Sequence, residues 1–372
     1  MEGAPATENY THSLYKHVEK KEEADAVAWA FVNSQKFVEF PFKFPELGSK
    51  EIRANVLYSG LCLSDSLHAR SKWGGSHYPL APGHEIIAEV SQVGSEVTSL
   101  IVGDKVAFGT MREICHACKY CKRGQGEPLC RGDVRKFTYG VHFGGYATQL
   151  QQPAEFFFRV PEGLNLEKSA PLLCAGITVY NPIKKYIKEG DVAAVIGVGG
   201  LGHLAVQFLA KKGHQVTGVS GTLSKKDFIL GLGATDVLNI SDPEAMKASQ
   251  NKFDFIIDTS PSTDNFQARI NLLAPGGTYV LVGVGDAAES TINISAASIV
   301  TAERKLVGSL VGSRQDIDEM LIFCRDNDVY PIIESFDFED FPKALDRLEN
   351  GKPVFRCVVK TGEYSKKNNL FK

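Results

Sequence analysis

The chain has 372 residues, with Lys plus Arg at 41, Asp plus Glu at 44 and a formal net charge of -3 at pH 7. At 43% hydrophobic and 23% charged it has globular composition, which excludes a disordered, collagen-like or coiled-coil chain. The near balance of charge argues against a nucleic-acid-binding or polybasic membrane surface. The length allows two to three domains, with a core large enough to need no disulfide scaffold. Glycine, at 35 residues, exceeds the ~7% background. The eight cysteines lie at 62, 115, 118, 121, 130, 174, 324 and 357, and the spacing of three of them suggests metal ligation.

The N-terminal stretch MEGAPATENYTHSLYKHVEKKEEADA is polar and has no apolar core of a signal peptide. Residues 1–25 are expected to form a loosely held extension. We read no apolar run of 18 or more residues, so no spanning helix is expected. The C-terminal KKNNLFK matches no lipidation or peroxisomal signal. A cytoplasmic location is expected, where a reducing medium leaves thiols free for metal.

From Ala26 to Thr178, short alternating runs are broken by glycine and proline, and EIRANVLYSG and HEIIAEVSQVG read as strands. This part is expected to be β-rich. From Val179 the texture becomes βαβ. DVAAVIGVGG is an apolar strand entering a glycine loop, LGHLAVQFLAKKG a helix and QVTGVS a second strand. FDFIIDTS and GGTYVLVGVG read as further strands, with FQARINLLAPGG a helix between them. That rhythm predicts a parallel, doubly wound sheet. VFRCVVK, near the end, reads as a strand able to return to the first domain.

Gly197-Val198-Gly199-Gly200-Leu201-Gly202 matches GxGxxG between a strand and a helix. In that context glycines permit a tight turn and close approach to a pyrophosphate, whose charge the helix N-terminus stabilises. A ligand-free glycine turn is the alternative. The next strand ends at Ser220, followed by Gly221, Thr222, Leu223, Ser224, Lys225 and Lys226. Enzymes using NAD place a carboxylate there for the ribose 2′-hydroxyl. Here hydroxyls and lysines can instead receive a 2′-phosphate, so the cofactor expected is NADP(H). A merely solvated helix start is the competing reading.

Cys115-x2-Cys118-x2-Cys121 followed by Cys130 offers four thiolates, the donor set of a closed structural zinc site. A second set is dispersed: Cys62 in GLCLSD, His84 and Glu85 in PGHE, and Cys174 in PLLCAG. Taken singly, each reads equally as a core or loop residue. Together they would make a catalytic zinc set with an exchangeable position, but periodicity does not assemble them.

The order GLCLSD, PGHEIIAEVSQVG, GDKVAFG, the cysteine lobe, APLLCAGITVY, GVGGLG and GSLVGSR resembles the zinc-containing medium-chain alcohol dehydrogenases, and among them the cinnamyl-alcohol-dehydrogenase-like branch, over 28–359. The resemblance implies an α/β chain with a GroES-like β-rich catalytic domain (26–178 and 326–372) and a Rossmann NADP-binding domain (179–325). It implies that Cys62, His84 and Cys174 hold a catalytic zinc, with Glu85 a nearby or exchangeable ligand and Asp65 orienting His84. Ser64 would bond the substrate oxygen and start a proton relay. Thr178, Thr259, the Val282–Val284 turn with Gly283, Ser309, Leu310, Val311 and Arg356 would lie near the cofactor, and Trp73 would line the pocket unless it is core. Two zinc ions per chain and a homodimer joined through edge strands of the cofactor domain also follow.

Three departures stand out. Leu63 replaces a usual histidine, Leu67 occupies the usual relay position with His68 one place further, and the Cys121–Cys130 interval is one residue longer. The activity implied is hydride transfer between NADP(H) and primary alcohols or aldehydes, aromatic or allylic ones among them. The alternatives are a 1,4- or iminium reductase of the same family and a non-catalytic cofactor-binding protein. Cys324 and Cys357 are left as ordinary buried thiols.

Overall fold

The computed structural model describes residues 14–123, 126–132, 143–283, 285, 291–351 and 355–371. The strands, in chain order, are β1 (Lys16–His17), β2 (Ala26–Phe31), β3 (Phe37–Lys43), β4 (Glu51–Leu61), β5 (Ile86–Val93), β6 (Lys105–Phe108), β7 (Gln149–Pro153) and β8 (Phe157–Arg159). They continue with β9 (Val192–Ile196), β10 (Gln215–Ser220), β11 (Asp236–Asn239), β12 (Phe253–Asp258), β13 (Leu273–Leu281), β14 (Lys305–Gly308), β15 (Ile333–Asp337) and β16 (Arg356–Lys360). The chain divides into two compact units. One comprises Met1–Cys174, Ser313–Arg325 and Ile332–Lys372; the other comprises Ala175–Gly312 and Asp326–Pro331.

In the first unit, a seven-stranded sheet runs β15-β16-β4-β5-β6-β8, with β7 also paired to β4. β4 is central because its alternation buries Ile52, Ala54 and Val56 while its backbone serves β5, β7 and β16. Arg356–Lys360, at the end of the chain, joins this sheet: Cys357 pairs with Leu61 across β16 and β4. A core of Phe31, Leu61, Tyr146, Phe341 and Val359 lies beside it. The chain leaves β4 straight into helix Leu63–Ala69, so Cys62 sits at a strand-to-helix junction.

The expectation of a loose extension fails for residues 14–25. Tyr15 is buried, with its ring stacked on Phe143 at 4.4 Å and edge-on to Phe42 at 5.1 Å. β1 adds to a three-stranded sheet in the order β1-β3-β2. One aromatic anchor offsets the surrounding charge, since such a side chain buries ~150–250 Å². Residues 1–13 lie outside the described residues.

The second unit holds a six-stranded, all-parallel sheet in the order β11-β10-β9-β12-β13-β14. Counting from β9 the order is 3-2-1-4-5-6, the doubly wound dinucleotide-binding arrangement. Its β9 residues Ala193, Ala194 and Val195 are fully buried, which explains an apolar run without alternation. One element differs from expectation. The helix read over FQARINLLAPGG covers only Phe266–Ile270, and Leu273 already belongs to β13. Leu273 pairs with Phe253, and the register then shifts before Phe255 meets Thr278. That irregularity absorbs Pro275, which has no N–H to donate, and Gly276 at φ 75°.

Candidate metal and cofactor sites

Cys62 caps helix Leu63–Ala69, and Asp65, three residues on, reaches back to the Cys62 N–H at 3.3 Å. The remaining acceptor capacity of Asp65 is also used. Its Oδ1 takes the Gly83 N–H at 2.9 Å and His84 Nδ1 at 2.7 Å, and its Oδ2 takes the Tyr146 hydroxyl at 2.9 Å. Asp65, His84 and Glu85 are fully buried. A carboxylate accepting at Nδ1 fixes the ring orientation and the tautomer in which Nε2 can act as a ligand.

One donor atom from each of Cys62, His84, Glu85 and Cys174 lies within 4.8 Å of the others. Two thiols, an imidazole and a carboxylate are a zinc donor set, and the spread is close to the ~4.6 Å that two ~2.3 Å Zn–S bonds can span. Electrostatics agrees. The hydrogen bond from Cys174 holds Cys62 well below the ordinary thiol range, helped by His84, while the same bond and burial push Cys174 up. Burial opposes charge on His84, but Asp65 and Cys62 outweigh it and raise its pKa. These groups would bind a cation in place of their shared protons.

Burial also pushes Glu85 up to about 7, against the pull of Arg356. Its Oε1 pairs with Arg356 Nη2, and its Oε2 is buried with no hydrogen-bond partner among the described residues. The resemblance assigned Arg356 to the surroundings of the cofactor; its pairing with Glu85 was not foreseen. Gly60 was missed altogether. Its N–H donates to the Glu85 carbonyl at 2.8 Å, and a Cβ there would overlap Glu85 Oε2. Ser64 Oγ lies 3.0 Å from Cys62 Sγ. His68 follows one helical turn after Ser64, on the same face, and burial lowers its pKa. Trp73 is 37% exposed, so it is not a core residue.

In the lobe, one sulfur from each of Cys115, Cys118, Cys121 and Cys130 lies within 4.8 Å of the others. The longer interval before Cys130 is therefore absorbed. Backbone N–H groups turn toward the sulfurs: Cys118 N to Cys115 Sγ at 3.3 Å, and Cys115 N and Gly132 N to Cys130 Sγ at 3.4 Å. The N–H groups of Arg131 and Cys121 bring Cys118 down to about 6. Gly132 has no sequence signal, yet a Cβ on it would overlap Cys115. Cys324 and Cys357 are buried elsewhere.

The glycine loop follows β9. Gly197 has φ 81°, and a Cβ there would come 3.0 Å from Ser260 N. A Cβ on Gly199 would meet nothing within 4 Å, whereas one on Gly202 would overlap the Gly197 carbonyl. The positions thus divide into turn, open approach and close helix packing. Val198 and Gly202 are buried, while Gly200 and Leu201 are half-buried. Thr259 Oγ1 donates to the Gly197 carbonyl at 2.6 Å. A Cβ on Gly283 would overlap the Ser260 carbonyl; Val284, the end of that expected turn, lies outside the described residues.

Ser220, half-buried, ends β10, and the exposed Thr222 caps the following turn by accepting the Ser224 N–H at 3.2 Å; Lys225 and Lys226 are exposed there. Thr178 is buried in helix Ala175–Tyr186. Ser309 N donates to Leu281 O at 3.0 Å, and Asn181 Nδ2 donates to the carbonyls of Leu310 and Val311.

Two family models match the chain: an alcohol dehydrogenase GroES-like domain over 48–162 and a zinc-binding dehydrogenase over 200–326. The chain is 36% identical over 351 residues to the Probable cinnamyl alcohol dehydrogenase 6 of Arabidopsis thaliana, covering 92% of this chain and 95% of that protein. It is 35% identical over 322 residues to the aldehyde reductase AdhA of a Synechocystis strain, covering 86% and 94%. Among solved structures it matches the CAD of Helicobacter pylori, complexed with NADP(H), with a TM-score of 0.81 and 30% identity over 90% of this chain and 98% of that one.

Proposed function

Because the chain belongs to the zinc-binding alcohol dehydrogenases, in their cinnamyl-alcohol-dehydrogenase-like branch, we propose that it is an NADP(H)-dependent aldehyde reductase and alcohol dehydrogenase with two zinc sites. The observation that carries this reading is the buried cluster of Cys62, His84, Glu85 and Cys174. When bound, zinc polarises a carbonyl or stabilises an alkoxide as a Lewis acid, and the nicotinamide donates or accepts hydride.

The remaining work falls to this chain's residues. Cys62, His84 and Cys174 would hold the ion, and Asp65 keeps the His84 tautomer. Glu85, with one oxygen on Arg356 and the other without a hydrogen-bond partner among the described residues, would be the nearby or exchangeable ligand. Ser64 would bond the substrate oxygen and pass its proton, and His68 is placed on the same helical face to carry it further. The N–H groups of Gly197–Gly202 would receive the pyrophosphate, and Ser220, Thr222 and Lys225 the 2′-phosphate. Cys115, Cys118, Cys121 and Cys130 would hold the second zinc, substituting for an apolar core in that lobe.

Two finer readings follow. The β14 edge of the parallel sheet, with Val300 72% exposed at the end of the helix that precedes it in the chain, supports a homodimer through the cofactor unit, which light scattering tests. The eight free cysteines suit a reducing cytoplasm. Among the described residues, no helix is long and apolar enough to cross a membrane.

The experiment combines zinc analysis with turnover. About two zinc ions per chain are expected, with NADPH-dependent reduction of aliphatic, aromatic or terpenoid aldehydes. Less than one zinc per chain, with no reaction across that panel, overturns the reading.

A further inference from the structure

The segment Phe143–Tyr146 grips the turn that carries His84. Gly144 N donates to Ala81 O at 2.7 Å, Gly145 N to Gly83 O at 2.8 Å and Tyr146 N to Pro82 O at 3.0 Å. The grip is close enough to exclude side chains. A Cβ on Gly83 would come 2.7 Å from both Gly145 N and Tyr146 N, and one on Gly144 would overlap the Gly83 carbonyl. Tyr146 is itself fixed from the other side, where its carbonyl accepts the Trp29 N–H at 2.8 Å. Its ring packs on Phe341 with centroids 4.8 Å apart.

The hydroxyl of this buried ring donates to Asp65 Oδ2 at 2.9 Å. The same carboxylate holds the His84 imidazole at 2.7 Å and the Cys62 N–H at 3.3 Å. With four donors on two oxygens, Asp65 has one place to be. Without the Tyr146 donor, Oδ2 would keep, among the described residues, only the long bond from Cys62. The carboxylate could then rotate about its Cβ–Cγ bond and take His84 with it. We propose that Tyr146 is a positioning residue for the metal site, its hydroxyl acting through Asp65 to set the direction of His84 Nε2 and the Cys62 backbone. This rests on the reading that Cys62, His84 and Cys174 hold zinc. Groups behind a metal ligand typically affect affinity by ~10–100-fold.

Tyr146→Phe removes one oxygen and keeps the ring packing, so it should fold. Phe341→Leu is the comparator, because it loosens the ring and keeps the hydroxyl. The purified zinc-loaded protein is challenged with an excess of a chromogenic chelator, and zinc release is followed alongside thermal unfolding. The Co2+-substituted proteins supply an optical spectrum of the site. In Tyr146→Phe, one of the two release phases is expected to accelerate at least ~10-fold, with a shifted cobalt spectrum and the other phase unchanged. In Phe341→Leu, Tm is expected to fall with neither phase altered. Release phases and cobalt spectrum unchanged in Tyr146→Phe overturn the inference alone. So does equal acceleration of both phases, because the hydroxyl would then serve the fold and not this site. A wild-type protein that binds no zinc at this cluster overturns the functional reading and the inference together.

Discussion

Gly199→Ala separates a folding role from a binding role within one loop. In the cofactor-free protein the new methyl group meets nothing within 4 Å, and Gly199 is not held at positive φ. The unfolded chain loses freedom, so stability is expected to hold or to rise by ~0.4–1 kcal/mol. The orientation of this peptide is also maintained, since His203 Nδ1 bonds the Gly199 carbonyl at 2.9 Å. Binding should respond differently. If the pyrophosphate approaches the backbone here, the methyl group forces the phosphate away from its N–H donors. Losing one charge-assisted hydrogen bond costs ~1.5–3 kcal/mol, or about 10- to 150-fold in Kd for NADPH. Gly202→Ala is the contrast, because its Cβ overlaps the Gly197 carbonyl and lies 3.0 Å from Thr259 Oγ1, so it should destabilise even the cofactor-free protein. Calorimetric titration with NADPH and thermal unfolding without it supply the two readouts. If Gly199→Ala bound NADPH as the wild type does, or unfolded as early as Gly202→Ala, the assignment of an approach surface would be wrong.

Ser220→Asp puts a carboxylate at the end of β10 and is expected to raise KM for NADPH at least ~10-fold while leaving or improving that for NADH, by steady-state kinetics with both cofactors. Asp65→Asn leaves an amide nitrogen facing the donors now held by a carboxylate, so zinc content and turnover should both fall, with the chelator-labile zinc lost ~10–100-fold more easily. His68→Ala should lower turnover: burial keeps His68 neutral near pH 7 and thus able to accept a proton, and an unchanged rate and pH profile would remove it from the relay.

What could be read in advance depended on whether the determining contacts were local. Fully buried parallel strands such as Val192–Ile196 read as apolar runs ending in glycine, and the four-cysteine lobe declares itself through spacing. The start of β13 was hidden because Pro275, Gly276 and Gly277 carry turn chemistry, while the long-range pairing of Leu273 with Phe253 and the Gly276 N–H bond to Ala302 O keep the segment extended. Tyr15 was hidden for the opposite reason. Its neighbours are charged, and Phe42 and Phe143, which bury it, are distant in sequence. At the metal cluster, Cys62, His84 and Cys174 required family resemblance, because no period relates them. Tyr146 and Arg356 left no mark of their roles, since their partners Asp65 and Glu85 lie 81 and 271 residues away. Gly60 and Gly132 carry no local signal, because what requires glycine there is the close approach of Glu85 and of Cys115.

The two sets of chemical groups close separately. Cys62, His84, Glu85 and Cys174, with Asp65, Tyr146 and Arg356 behind them, all belong to one compact unit. Gly197–Gly202, Thr259 and Ser220–Lys225 all belong to the other. Each set is positioned by contacts inside its own unit: Asp65 by Gly83 and Tyr146, the glycine turn by Thr259. A substitution behind one set should therefore leave the binding step of the other intact. Substitutions that share no partner usually contribute additively, to within ~0.3–0.5 kcal/mol. Combining Tyr146→Phe with Gly199→Ala makes that quantitative. Zinc release should follow the first change and NADPH affinity the second, each as in the single variant. A double variant in which the zinc defect altered NADPH affinity by ~10-fold would instead reveal a coupling of about 1.4 kcal/mol between the units.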